Sequence, residues 1–116
     1  MPVVEGNEVP VPQLPTTLPT LDELIGLDGV SGANVHETLL ARTREPRDHV
    51  FTLHAELEGA RLMPAFERLL DGWRAQGYAL VSTRDYFKTL DVASLPRCAV
   101  AMGAIPGRSG TLAIQA

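Results

Sequence analysis

Val50-Phe51-Thr52-Leu53-His54-Ala55-Glu56-Leu57-Glu58-Gly59 is the stretch on which the fold class turns. Its first half is β-branched and aromatic, the composition of a strand, and a strand is expected from His49 to about Ala55. Directly after it, Leu62, Met63, Phe66, Leu69, Leu70 and Trp73 form a continuous apolar stripe at helical spacing. That stripe predicts the strongest helix of the chain over about 61–76, with Met63 as its start if Pro64 sits in the first turn. Gly77 is placed to end it in a left-handed turn.

Outward from this pair, the same grammar continues. Asn34 is set to cap a helix from Val35 to about Arg44, and Thr20-Leu21-Asp22-Glu23 reads as a capping box on a short helix stopped by Gly26 and Asp28-Gly29. Tyr78 to Val81 is a short strand candidate, and Ser82 or Thr83 caps a helix toward Leu90. Arg97 to Ile105 and Thr111 to Ile114 close the chain as extended segments. Strands and helices in alternation predict an α/β fold with parallel strands.

Five of the nine prolines fall in the first nineteen positions. Each removes a backbone donor and fixes φ, so residues 1–20 are expected to be extended pieces, suited to a sheet edge or to lying across a larger body. The chain is 116 residues, 45% hydrophobic and 21% charged, with a net charge of -4. This is a globular composition sized for one domain. The charges are interleaved without a basic patch, which argues against a nucleic-acid partner. Cys98 alone excludes an internal disulfide or a multi-cysteine zinc site and fits a reducing compartment. No apolar run is long enough for a transmembrane segment, and the early prolines break any signal-peptide core.

His54 and Glu56 are the first chemical candidates. On a strand their side chains would share one face at its end, where an imidazole can act as general acid or base. The plainer reading is a strand-end histidine bonded to nearby backbone. His36, His49 and His54 match no compact metal-ligand spacing, and Cys98 lies in an apolar strand where an inert thiol is usual. Pro106-Gly107-Arg108-Ser109-Gly110 either cradles a phosphate through backbone N–H groups and Arg108 or is a plain tight turn. The hydroxyls of Gln13-Leu14-Pro15-Thr16-Thr17-Leu18-Pro19-Thr20 either line a polar groove or satisfy backbone that the prolines cannot.

Three stretches carry a resemblance: Val11-Pro12-Gln13-Leu14-Pro15-Thr16-Thr17-Leu18-Pro19-Thr20-Leu21-Asp22-Glu23-Leu24-Ile25-Gly26, the Val50–Gly59 run and the 106–110 tail. In order, and over nearly the whole chain, they resemble the C-terminal part, about the last two fifths, of the polysaccharide-deacetylase (NodB-homology) superfamily. The nearest likeness is to its branch that deformylates formamido-arabinose-phospho-undecaprenol in lipid A modification. The resemblance implies one partial domain over 1–116, part of a distorted (β/α) barrel, in an enzyme that hydrolyses a formamide or acetamide on a lipid-linked or oligomeric amino sugar.

In that family, one Asp and two His hold a divalent metal such as zinc, a second Asp is the base, and a His in a Leu-x-His-type motif protonates the leaving amine. Leu53-His54 is the only loose match, so His54 alone inherits the general-acid role. Thr16, Thr17, Thr20, Glu56 and Arg108 are assigned to substrate by position. The Asp-Asp motif and His-x-x-x-His pair are missing, so no metal or other cofactor is expected in this chain and the chain alone is expected to be inactive. A cytoplasmic location, at the inner face of the bacterial inner membrane, follows from the same resemblance. The alternative is a non-catalytic module derived from this fold that either binds a partner or self-associates as a homo-oligomer through open barrel edges.

Overall fold

A computed structural model describes residues 1–105 and 108–116. The chain divides into two compact units, Thr16–Leu80 and a second made of Met1–Pro15 with Val81–Ala116.

The first unit is helical. It contains α1 (Leu21–Leu24), α2 (Val35–Arg42), α3 (Ala55–Glu58) and α4 (Met63–Ala75). α4 begins at Met63 with Pro64 in its first turn, and Gly77 follows at φ +91°, as the stripe and its punctuation predict. Leu69 and Trp73 from α4 pack with Val35 and Leu39 from α2, Leu21 and Leu24 from α1, and Leu18 and Leu62 between elements. At Gly72 an added Cβ would fall 2.5 Å from Leu40 Cδ1, so a glycine there lets α2 and α4 close on one another.

A polar network ties the ends of those two helices. Thr43 is buried, and its hydroxyl donates to Gln76 Oε1 at 2.7 Å and accepts from Trp73 Nε1–H at 3.2 Å. Gln76 Nε2–H donates to the Leu40 carbonyl at 2.8 Å, and Tyr78 Oη–H reaches the Thr43 carbonyl at 2.9 Å. A buried hydroxyl bonded on both sides is stabilising, and one left unpaired would be costly.

Two expected strands are not strands. Residues 49–54 are extended but form no ladder. In place of a neighbouring strand, Thr17 holds Val50: Thr17 N–H donates to the Val50 carbonyl at 3.0 Å, and Val50 N–H donates to Thr17 Oγ1 at 2.8 Å. Phe51 packs edge-on against Trp73, with ring centroids 5.4 Å apart, so its aromatic character serves the helical core. Residues 78–81 are likewise outside any ladder. Asn34 does not cap α2 through its side chain; its Oδ1 accepts from Ser31 N–H at 2.7 Å and shapes the turn before the helix.

The second unit is a four-stranded mixed sheet in the order β2-β1-β3-β4. β1 (Pro2–Val4) pairs antiparallel with β2 (Asn7–Glu8) and parallel with β3 (Cys98–Gly103). β4 (Leu112–Gln115) pairs antiparallel with β3, with Ala101 opposite Ile114. The expectation of parallel strands therefore holds for one pair among the described residues. Pro2 is tolerated as the first strand residue, while Pro10, Pro12, Pro15 and Pro19 lie outside the strands. α5 (Thr83–Phe87) is capped by Ser82, whose Oγ accepts from Asp85 N–H at 3.1 Å, and it stops short of Leu90. Among the described residues of this unit none is fully buried, while Val4, Val81, Phe87, Val100 and Met102 are exposed. No helix among the described residues is long and apolar enough to cross a membrane.

Candidate functional site

The site is built at the end of the extended segment that Thr17 holds. The chain turns there from extended backbone into α3, and His54 is the turning residue, with φ -111° and ψ 111°. Its carbonyl accepts from Leu57 N–H at 2.8 Å and Glu58 N–H at 3.0 Å, which begins the helix. A Cβ on Gly59 would collide with the Ala55 carbonyl oxygen, so this single helical turn closes only with glycine at its end.

The carboxylate facing the His54 imidazole is Asp22, on α1. Asp22 Oδ1 lies 3.4 Å from His54 Nδ1, an ion-pair distance without the alignment of a full hydrogen bond. Both side chains are partly exposed, His54 by 36% and Asp22 by 46%, so the couple is open to a ligand. Asp22 reaches this position because α1 starts on the Thr20–Glu23 capping box. The Glu23 carboxylate accepts Thr20 N–H at 3.0 Å, while Thr20 Oγ1 faces the Glu23 amide more loosely than a hydrogen bond requires.

Glu56 does not share a face with His54, because the strand that would align them is absent. It lies in the first turn of α3 and is exposed. The carboxylate that contacts His54 from this element is Glu58, whose Oε2 accepts the His54 backbone N–H at 2.7 Å. Thr16 and Thr17 are exposed and Thr20 is buried. Thr17 Oγ1 is occupied by Val50 N–H and lies 3.2 Å from His49 Nδ1. Arg108 belongs to the sheet unit, where its N–H donates to the Ile105 carbonyl at 3.0 Å; Pro106 and Gly107 of the proposed phosphate loop lie outside the described residues.

His49 is a second histidine near the segment, edge-on to Tyr78 at 5.8 Å. Burial, with Arg47 adding to it and Asp48 opposing, holds its imidazole below the ordinary histidine range, which favours the neutral ring. Among the described residues no three His, Cys, Asp or Glu side chains converge in a way that would hold a metal ion.

The chain is 31% identical over 105 residues to the probable 4-deoxy-4-formamido-L-arabinose-phosphoundecaprenol deformylase ArnD of Shewanella sediminis (strain HAW-EB3), a match covering 90% of this chain and 34% of that protein. It is also 31% identical over 104 residues to the probable deformylase of the same name from Wigglesworthia glossinidia brevipalpis, covering 89% of this chain and 36% of that one. By sequence, the chain is a relative of these polysaccharide-deacetylase-type deformylases. It spans about a third of the length of the curated relatives it matches. No family model matches the chain, and no solved structure does.

Sequence reasoning missed Asp22 and Glu58 as partners of His54. Asp22 sits in the first turn of a capped helix, where an acidic residue is expected for the helix dipole alone. Glu58 stands four residues after His54, a spacing that brings two residues together only on a helix, not on the strand that was expected.

Proposed function

We propose that this chain is the part of a metal-dependent carbohydrate N-deformylase or N-deacetylase that supplies the general acid, His54. The observation that carries the proposal is the Asp22–His54 couple, open to solvent, in a chain related to deformylases. The activity for which those relatives are named suggests hydrolysis of a formamide on a lipid-linked amino sugar, an acetamide being the related substrate.

The chemistry available to His54 is the second half of amide cleavage. As the C–N bond breaks, the departing nitrogen must take up a proton or it will recapture the carbonyl carbon. With Nδ1 turned to Asp22, Nε2 is the nitrogen left to hold and donate that proton. Asp22 steadies the imidazolium before transfer and keeps the ring oriented afterwards. Thr16 and Glu56 are the exposed candidates for contacts to sugar hydroxyls, and Thr17 and Thr20 shape the segment that carries Thr16.

A divalent metal, which activates water in the wider family, finds no fitting set of ligands among the described residues. We assign it, with the catalytic base, to the remainder of a longer protein. The unburied sheet unit supports the same reading, since strands without a core need a further surface to pack against. On this account residues 1–116 form one partial domain of a distorted (β/α) barrel, inactive alone. The enzyme would work in the cytoplasm, at the inner face of the bacterial inner membrane where a lipid-linked substrate is presented.

The open β4 edge and the exposed Val100 and Met102 favour a second reading, a self-associating module without catalysis. The coding sequence upstream of Met1 separates the two. An in-frame continuation carrying an Asp-Asp motif and a His-x-x-x-His pair is expected; a stop codon directly upstream would refute the catalytic reading and leave the module.

A further inference from the structure

We infer that Glu58 is the positioning residue of the site: its buried carboxylate fixes the His54 backbone, and through it the Asp22–His54 couple. This deepens the proposed role of His54 and rests on it only for its catalytic meaning.

Glu58 clamps His54 at both backbone groups. The Glu58 N–H donates to the His54 carbonyl at 3.0 Å, and Glu58 Oε2 accepts the His54 N–H at 2.7 Å. The two bonds hold the residue at the point where extended chain becomes helix, so the Cα–Cβ direction of the imidazole is set from both sides. The short contact has the length of a charge-assisted bond.

A plain helix cap would not need this arrangement. Capping carboxylates normally sit in water, whereas Glu58 is only 1% exposed and its second oxygen, Oε1, has no partner. Burying a carboxylate so poorly satisfied is unfavourable. The arrangement is explained if what matters is the fixed geometry of His54 beside Asp22.

The test reads the state of His54 itself. Chain labelled with ¹⁵N-histidine is compared as wild type, Glu58→Gln, Glu58→Leu and Glu58→Asp at about pH 8, where an unperturbed imidazole is neutral. Glutamine can still accept the His54 N–H, so Glu58→Gln should keep the wild-type tautomer, with Nδ1–H toward Asp22. Leucine lacks an acceptor and aspartate is one methylene short, so both should raise the minor tautomer about fivefold or more, the scale of one lost hydrogen bond. If the leucine variant does not fold, the aspartate variant decides. Lower melting temperatures with an unchanged His54 tautomer would reduce Glu58 to a simple cap and overturn the inference. Because the readout is not turnover, failure of the general-acid role would leave this result intact, and the reverse.

Discussion

Asp22 Oδ1 stands 3.4 Å from His54 Nδ1, joining the first turn of α1 to the residue that opens α3. Both side chains are partly exposed, so the pair adds little to stability, at most about 1 kcal/mol by analogy with surface ion pairs. Its value lies in orientation. Asp22→Asn should leave the urea midpoint nearly unchanged while the His54 ring loses its preferred tautomer in ¹⁵N spectra. A large fall in stability with an unchanged ring would mean the couple is structural.

Thr43 gives the opposite pattern. Its hydroxyl links Gln76 and Trp73 inside the helical unit, and Thr43→Val keeps the shape while leaving both partners unpaired. The cost should be about 1–3 kcal/mol in urea unfolding, with Trp73 fluorescence reporting the loss. A neutral substitution would show that water replaces the hydroxyl without penalty.

The helical part of this fold was legible because its signals are local. The stripe on α4, Pro64 at its start and Gly77 after its end all act within one element. The segment at 49–55 was misread because Val50 and Phe51 carry strand composition for a different reason: Val50 bonds one threonine, and Phe51 meets Trp73. Whether such a run finds a ladder depends on distant residues. The site shares this asymmetry. His54 stood out by type and position, but Asp22 reaches it only through the tertiary fold, and Glu58 replaces Glu56 once the strand becomes a helical turn.

His49 predicts a pH dependence. Its folded-state pKa lies below the ordinary value near 6.5, so the unfolded chain binds more protons as the solution is acidified. The stability this residue supports is present above about pH 6.5 and is lost as pH falls through the depressed folded value. Urea midpoints measured from about pH 7.5 to 5 should decline more steeply in the wild type than in His49→Gln. Equal slopes would mean His49 does not gain its neutral form from folding.

The central claim is that His54 is the leaving-group acid of a deformylase whose metal and base lie outside this chain. The most direct measurement is formamide hydrolysis, with a formamido-sugar substrate and added zinc, by the isolated chain and by the longer protein that contains it. The isolated chain should stay at background. In the longer protein, His54→Gln should lower kcat by about 10²–10⁴, the usual contribution of general acid catalysis, with little change in KM. Turnover by the isolated chain, or an undiminished kcat in the longer protein carrying His54→Gln, would contradict the account.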